Sequence, residues 1–145
     1  EIINNGGAST AVAAGGVTTF IPGIASHFLL EWGTLTFIVD HVLATNEFAS
    51  QEIRDAATAK PSALNIEFGL NVSQATTIAI GIQESVDLAK ILPKFRILFA
   101  ISHVLSVGTT LSGEFRMDAD YSKTEGGGNG DGNASALTLQ ISSEF

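Results

Sequence analysis

"ALTLQISSEF" (136–145) alternates along its whole length. Leu137, Leu139, Ile141, Ser143 and Phe145 fall on one side of an extended chain, and Thr138, Gln140, Ser142 and Glu144 on the other. Successive side chains of a strand point to opposite faces. The segment is therefore a strand with one apolar and one polar face, because a period of two does not fit a helix. An aromatic at the last position sets it apart from the frayed polar tail that ends most soluble domains.

The same alternation recurs upstream. "SHFLLEW" (26–32), "TLTFIVDHVLA" (34–44), "SALNIEFGLNV" (62–72), "ATTIAIGIQES" (75–85), "FRILFAISHVL" (95–105) and "TTLSGEFRMDADY" (109–121) precede the closing "ASALTLQISSEF" (134–145). Strands of about 11 residues exceed the roughly 5–6 of soluble sheets. They match the roughly 9–11 that a tilted membrane strand requires. The connections alternate in length. Turns at Gly33, at 73–74 and at 106–108 are short, whereas 45–61, 86–94 and 122–133 are long. Short turns at one end and long loops at the other define an outer-membrane barrel, with the short turns in the periplasm.

Composition agrees. Hydrophobic residues make up 45% of the 145 and charged residues 15%, against about 25% charged in an ordinary soluble domain. No apolar run reaches the roughly 18 residues of a membrane helix. Net charge is −8 with seven scattered basic residues, which excludes a nucleic-acid surface, since that needs clustered Lys and Arg. Without cysteine there is no disulfide, thiolate metal site or Cys nucleophile. No metal, cofactor or catalytic site is expected. His27, His41 and His103 sit on separate strands with no companion motif, and "TEGGGNGDGN" (124–133) lacks the strand-loop-helix context of a phosphate cradle.

The fold read from these patterns is all-β: an antiparallel transmembrane up-and-down β-barrel with about seven strands in this chain. Residues 1–25, rich in Gly, Ala, Ser and Thr, read as a loop or the end of a preceding strand, and 26–145 as barrel. "NEFASQEIRDAATAK" (46–60) reads as a short helix in the first extracellular loop, stopped before Pro61. The alternation assigns Phe37, Phe68, Ile80, Phe99, Phe115 and Leu139 to the membrane side. It assigns Glu31, Asp40, Glu67, Gln83, Arg96, Glu114, Arg116 and Asp118 to the lumen, with every strand charge on that face. A charge at the lipid midplane costs about 2–4 kcal/mol. His41 and His103 fall on the membrane side toward strand ends, and Trp32 and Phe145 at the periplasmic rim, where aromatic girdles sit. The lumen ladder reads either as a field that orients a solute or as a salt-bridge network bracing the strands.

Several segments are similar to the C-terminal part of the LbtU-type siderophore porins. The likeness covers about 26–145 and is most specific at "AKPSALNIE" (59–67) and "LPKFR" (92–96). It implies a large barrel in the bacterial outer membrane of a Gram-negative cell, engaged in uptake of a ferric siderophore or another small solute. It implies no cofactor, and outer-membrane lipid as partner. A last strand ending on an aromatic also resembles the signal that barrel-assembly machinery reads, here Leu137, Leu139, Ile141 and Phe145. Single-chain bacterial barrels have even strand numbers. Seven strands thus leave three arrangements open: part of a bigger barrel, an eighth strand within 1–25, or a homo-oligomer sharing one barrel. The alternatives to a porin are a small anchoring barrel without transport and a secreted β-rich fibre subunit.

Overall fold

Alternation builds a single sheet. The computed structural model describes residues 20–49, 58–89, 91–127 and 132–143. Seven strands appear: β1 (Gly23–Trp32), β2 (Leu35–Ala44), β3 (Ser62–Asn71), β4 (Thr76–Val86), β5 (Phe95–Ser106), β6 (Thr109–Ala119) and β7 (Asn133–Ser143). Each pairs antiparallel with the next in chain order, giving an up-and-down meander. The connections alternate as the sequence predicts. Residues 33–34, 72–75 and 107–108 turn at one end of the sheet, and 45–61, 87–94 and 120–132 cross at the other.

The short turns set local register. Gly33 has φ 62°, the left-handed value that a two-residue hairpin needs at its first central position and that glycine adopts without strain. Trp32 therefore faces Leu35, and the pairing runs unbroken to Gly23 and Ala44. The β5–β6 turn differs. The register shifts between Val104 and Ser106, so Leu105 is a bulged residue without a direct partner.

One apolar row crosses the whole sheet. Leu30, Phe37, Phe68, Ile80, Phe99, Phe115 and Leu137 face one another from strand to strand. A parallel row holds Trp32, Leu35, Leu70, Ile78, Ile101, Gly113 and Leu139. Nothing among the described residues covers this face: Ile80 is 43% exposed and Leu139 72%. Among the described residues the buried hydrophobic side chains are Ala44, Ala59 and Tyr121. The sheet is a single layer without a conventional core. It is also open, with β1 at one edge and β7 at the other. With seven alternating strands, β1 and β7 run in the same direction.

Three expectations change. β1 starts at Gly23, so Gly23, Ile24 and Ala25 belong to the sheet and not to a loop; residues 1–19 lie outside the described residues. The ends of the supposed helix at 46–60 are joined by a β-bridge. Phe48 N donates to Ala59 O at 2.7 Å and Ala59 N to Phe48 O at 3.2 Å. A continuous helix would hold those residues about 16 Å apart at 1.5 Å per residue. Residues 50–57 lie outside the described residues, and the helical turn among those described is a 3-10 turn, Lys123–Glu125, in the third long connection. The third concerns Glu84, which faces Leu64 and Phe95 on the apolar side. The strand charges therefore do not all sort to one face.

Small residues let neighbouring strands approach. A Cβ on Gly81 would lie 2.9 Å from Leu98 Cγ, so Leu98 fills the space above Gly81 on the polar face. We expect Gly81→Ala to destabilise the protein by about 1–3 kcal/mol, the usual cost of overpacking. In a Leu98→Ala background the same change becomes neutral or favourable. Denaturant titration of the two single variants and the double variant checks this; additive effects would contradict the contact.

Candidate functional site

The polar face is organised by the same register. His27, Asp40, Asn65, Gln83, Arg96 and Asp118 form one row across β1 to β6. The next row holds Leu29, Ile38, Glu67, Gly81, Leu98 and Arg116, and the one after it Glu31, Thr36, Gly69, Ala79, Ala100 and Glu114. All eight residues expected on this side thus share one face. Not all of that face is polar. Leu29, Ile38 and Leu98 sit among the charges, a departure that strict alternation does not anticipate.

The tightest interaction is an arginine fork. Arg96 Nε donates to Asp118 Oδ1 at 2.7 Å, and its second terminal nitrogen donates to Oδ2 at 2.9 Å. Planar guanidinium and carboxylate groups match in this way, with geometric specificity as well as charge. The two side chains are 20% and 15% exposed, so water weakens the pair less than it would on an open surface. Arg116 Nε approaches Asp118 Oδ2 at 3.7 Å and has no hydrogen-bond partner. Asp118 therefore serves two arginines. A second pair joins β1 and β2, where His27 Nδ1 and Asp40 Oδ1 lie 2.6 Å apart on an exposed stretch.

Of the histidines expected on the apolar side, His103 pairs with Thr76 through Nδ1 and Oγ1 at 2.8 Å near the short-turn end. His41 faces Ser26 and Leu64. Among the described residues no group of His, Asp and Glu is placed to hold a metal ion. Phe145 lies outside the described residues, and Leu137, Leu139 and Ile141 share the apolar face of β7.

The long connections are tied to the sheet end. Ser85 Oγ, almost fully buried, donates to Pro93 O at 2.7 Å and lies 2.7 Å from the Tyr121 hydroxyl, which donates to it. Leu88 N donates to the same Tyr121 oxygen at 3.4 Å. This network joins the second and third long connections. Ile91, Leu92 and Pro93 border an open recess of about 370 Å³ that reaches Asp118 and Asp120. Outside it, Lys94 Nζ donates to Glu125 Oε1 at 2.6 Å, while Ser122 N and Oγ donate to Oε2. The Lys94 hydrogen bond, then those from Ser122, hold Glu125 below its usual 4.5, at about 2. The Lys94 ammonium is raised by the same bond.

No family model matches the chain, and no curated protein or solved structure matches it.

Two outcomes follow from these pairs. In a double-mutant cycle of Arg96→Met and Asp118→Leu, one single change leaves Arg96 without its partner and the other leaves Asp118 with only the 3.7 Å approach of Arg116. The coupling energy should be about 0.5–3 kcal/mol, and a value near zero would contradict the fork. The stabilisation from Glu125 is fully present above about pH 4.5 and is lost as pH falls through about 2. Glu125→Gln should therefore remove that part of the acid-induced loss; an unchanged acid limb would contradict it.

Proposed function

We propose that the chain forms wall of a bacterial outer-membrane β-barrel, with its apolar face toward lipid and its polar face toward a lumen that passes small solutes. One observation carries the reading: seven strands, each paired with its neighbour in one continuous sheet, present an apolar face that nothing among the described residues covers. A soluble sheet buries such a face under a second layer. In hydrocarbon, the spanning structures that satisfy every backbone group are helices and closed barrels. Among the described residues no helix is long and apolar enough to cross.

The details support the same orientation. Strands of 10–12 residues have the length required. Trp32, 77% exposed beside the Gly33 turn, fits the aromatic girdle on the periplasmic side. Glu84 lies two residues from the opposite end of its strand, where a charge costs about 0–1 kcal/mol. Because β1 and β7 are co-directional, uniformly antiparallel closure takes an odd number of further strands. The total is then even, as in bacterial single-chain barrels. A ring of copies of this seven-strand unit would put β7 beside β1 in parallel, which disfavours a homo-oligomeric barrel.

The likeness to siderophore porins names a ferric siderophore as one solute. Reconstituted into planar lipid bilayers, the protein should give discrete conductance steps, and a transported ferric siderophore should block them reversibly. Protein that inserts, seen as a blue shift of Trp32 emission, but never conducts would be an anchoring barrel. Conductance indifferent to siderophore would leave the channel and remove that solute.

A further inference from the structure

The charges of the polar face divide by strand. β5 and β6 carry Arg96 and Arg116 together with Glu114 and Asp118. Two positive charges there meet two negative ones, and Asp118 is engaged by both arginines. The polar faces of β4 and β7 carry no charge. β1, β2 and β3 carry Glu31, Asp40 and Glu67 on this face and no Lys or Arg. Asp40 is bonded to His27. Glu31 and Glu67 have neither a hydrogen bond nor an ion pair among the described residues.

We propose that the lumen favours small cations over anions of similar size, and that Glu31 and Glu67 set this preference. The inference rests on the reading of the sheet as a channel wall. Glu31 on β1 and Glu67 on β3 stand two strands and one row apart, about 12 Å at the usual strand spacing and rise. That separation is about one Debye length at 0.1 M salt, so the two carboxylates act on a passing ion together. Low-dielectric walls concentrate such a field, and charged side chains lining a pore select by its sign. The arginines do not reverse it, because Asp118 and Glu114 balance them on their own strands. The preferred solute is therefore cationic or neutral, and an anion meets repulsion along the β1–β3 half of the wall.

The test is the reversal potential of the full chain in planar bilayers under a potassium chloride gradient. The native protein should pass potassium several-fold better than chloride. The double variant E31Q/E67Q should bring the ratio close to one. The control E47Q/E84Q removes two carboxylates that lie off the polar face, in a connection and on the apolar side, and should keep the native ratio. Raising the salt to about 1 M, where the Debye length is about 3 Å, should weaken the native preference and leave E31Q/E67Q unchanged. An anion preference, a ratio unmoved by E31Q/E67Q, or an equal loss in the control would overturn the proposal while the channel stands. Inserted protein that carries no current would overturn the proposal and the channel reading together.

Discussion

Two-residue alternation in a continuous antiparallel sheet is the constraint on which everything else here depends. It forces Phe37, Phe68, Ile80, Phe99 and Phe115 onto one side, and no second layer among the described residues covers them; all but the half-buried Phe37 are exposed. Burying one large apolar side chain is worth about 1.5–3 kcal/mol, and a soluble protein would not forgo that for a whole face. Cover for such a face has to come from outside the sheet; on the proposed reading it is hydrocarbon, which needs no match of side-chain shape.

The opposite face inherits its chemistry from the same register. Arg96 meets Asp118 because β5 and β6 are paired so that they stand opposite each other. Asp40 meets His27 for the same reason on β1 and β2. These bonds brace neighbouring strands, and the balance of charge left over sets the field in front of them. Small residues share that face: Leu98 packs over Gly81, and Ala79 and Ala100 lie in the row of Glu31 and Glu114. Ser85 and Tyr121 then anchor two long connections at one end of the sheet.

The strands, their order of short and long connections and their two faces were legible in the sequence, because alternation and turn residues are local signals. The His27–Asp40 pair was in principle legible as well. A two-residue turn at Gly33 fixes the register of its hairpin, and counting outward from Trp32 and Leu35 reaches both residues. The Arg96–Asp118 fork was not, because a bulge at Leu105 interrupts the count from the β5–β6 turn. Glu84 falls on the apolar side by the same count as Ile78, Ile80 and Ile82, and a charge near a strand end breaks the pattern at little cost. The 46–60 segment has helical composition, yet Phe48 and Ala59 pair as a β-bridge, and residues 50–57 between them lie outside the described residues.

The most direct measurement is solvent accessibility along β3. The chain has no cysteine, so a spin label at each of Leu64, Asn65, Ile66, Glu67 and Phe68 would be unique. In lipid vesicles, labels at 64, 66 and 68 should be relaxed by oxygen, which partitions into hydrocarbon. Those at 65 and 67 should be relaxed by a water-soluble nickel chelate. If the two probes fail to alternate, or if positions 64, 66 and 68 are shielded from both by protein, the apolar face does not meet lipid and the account fails.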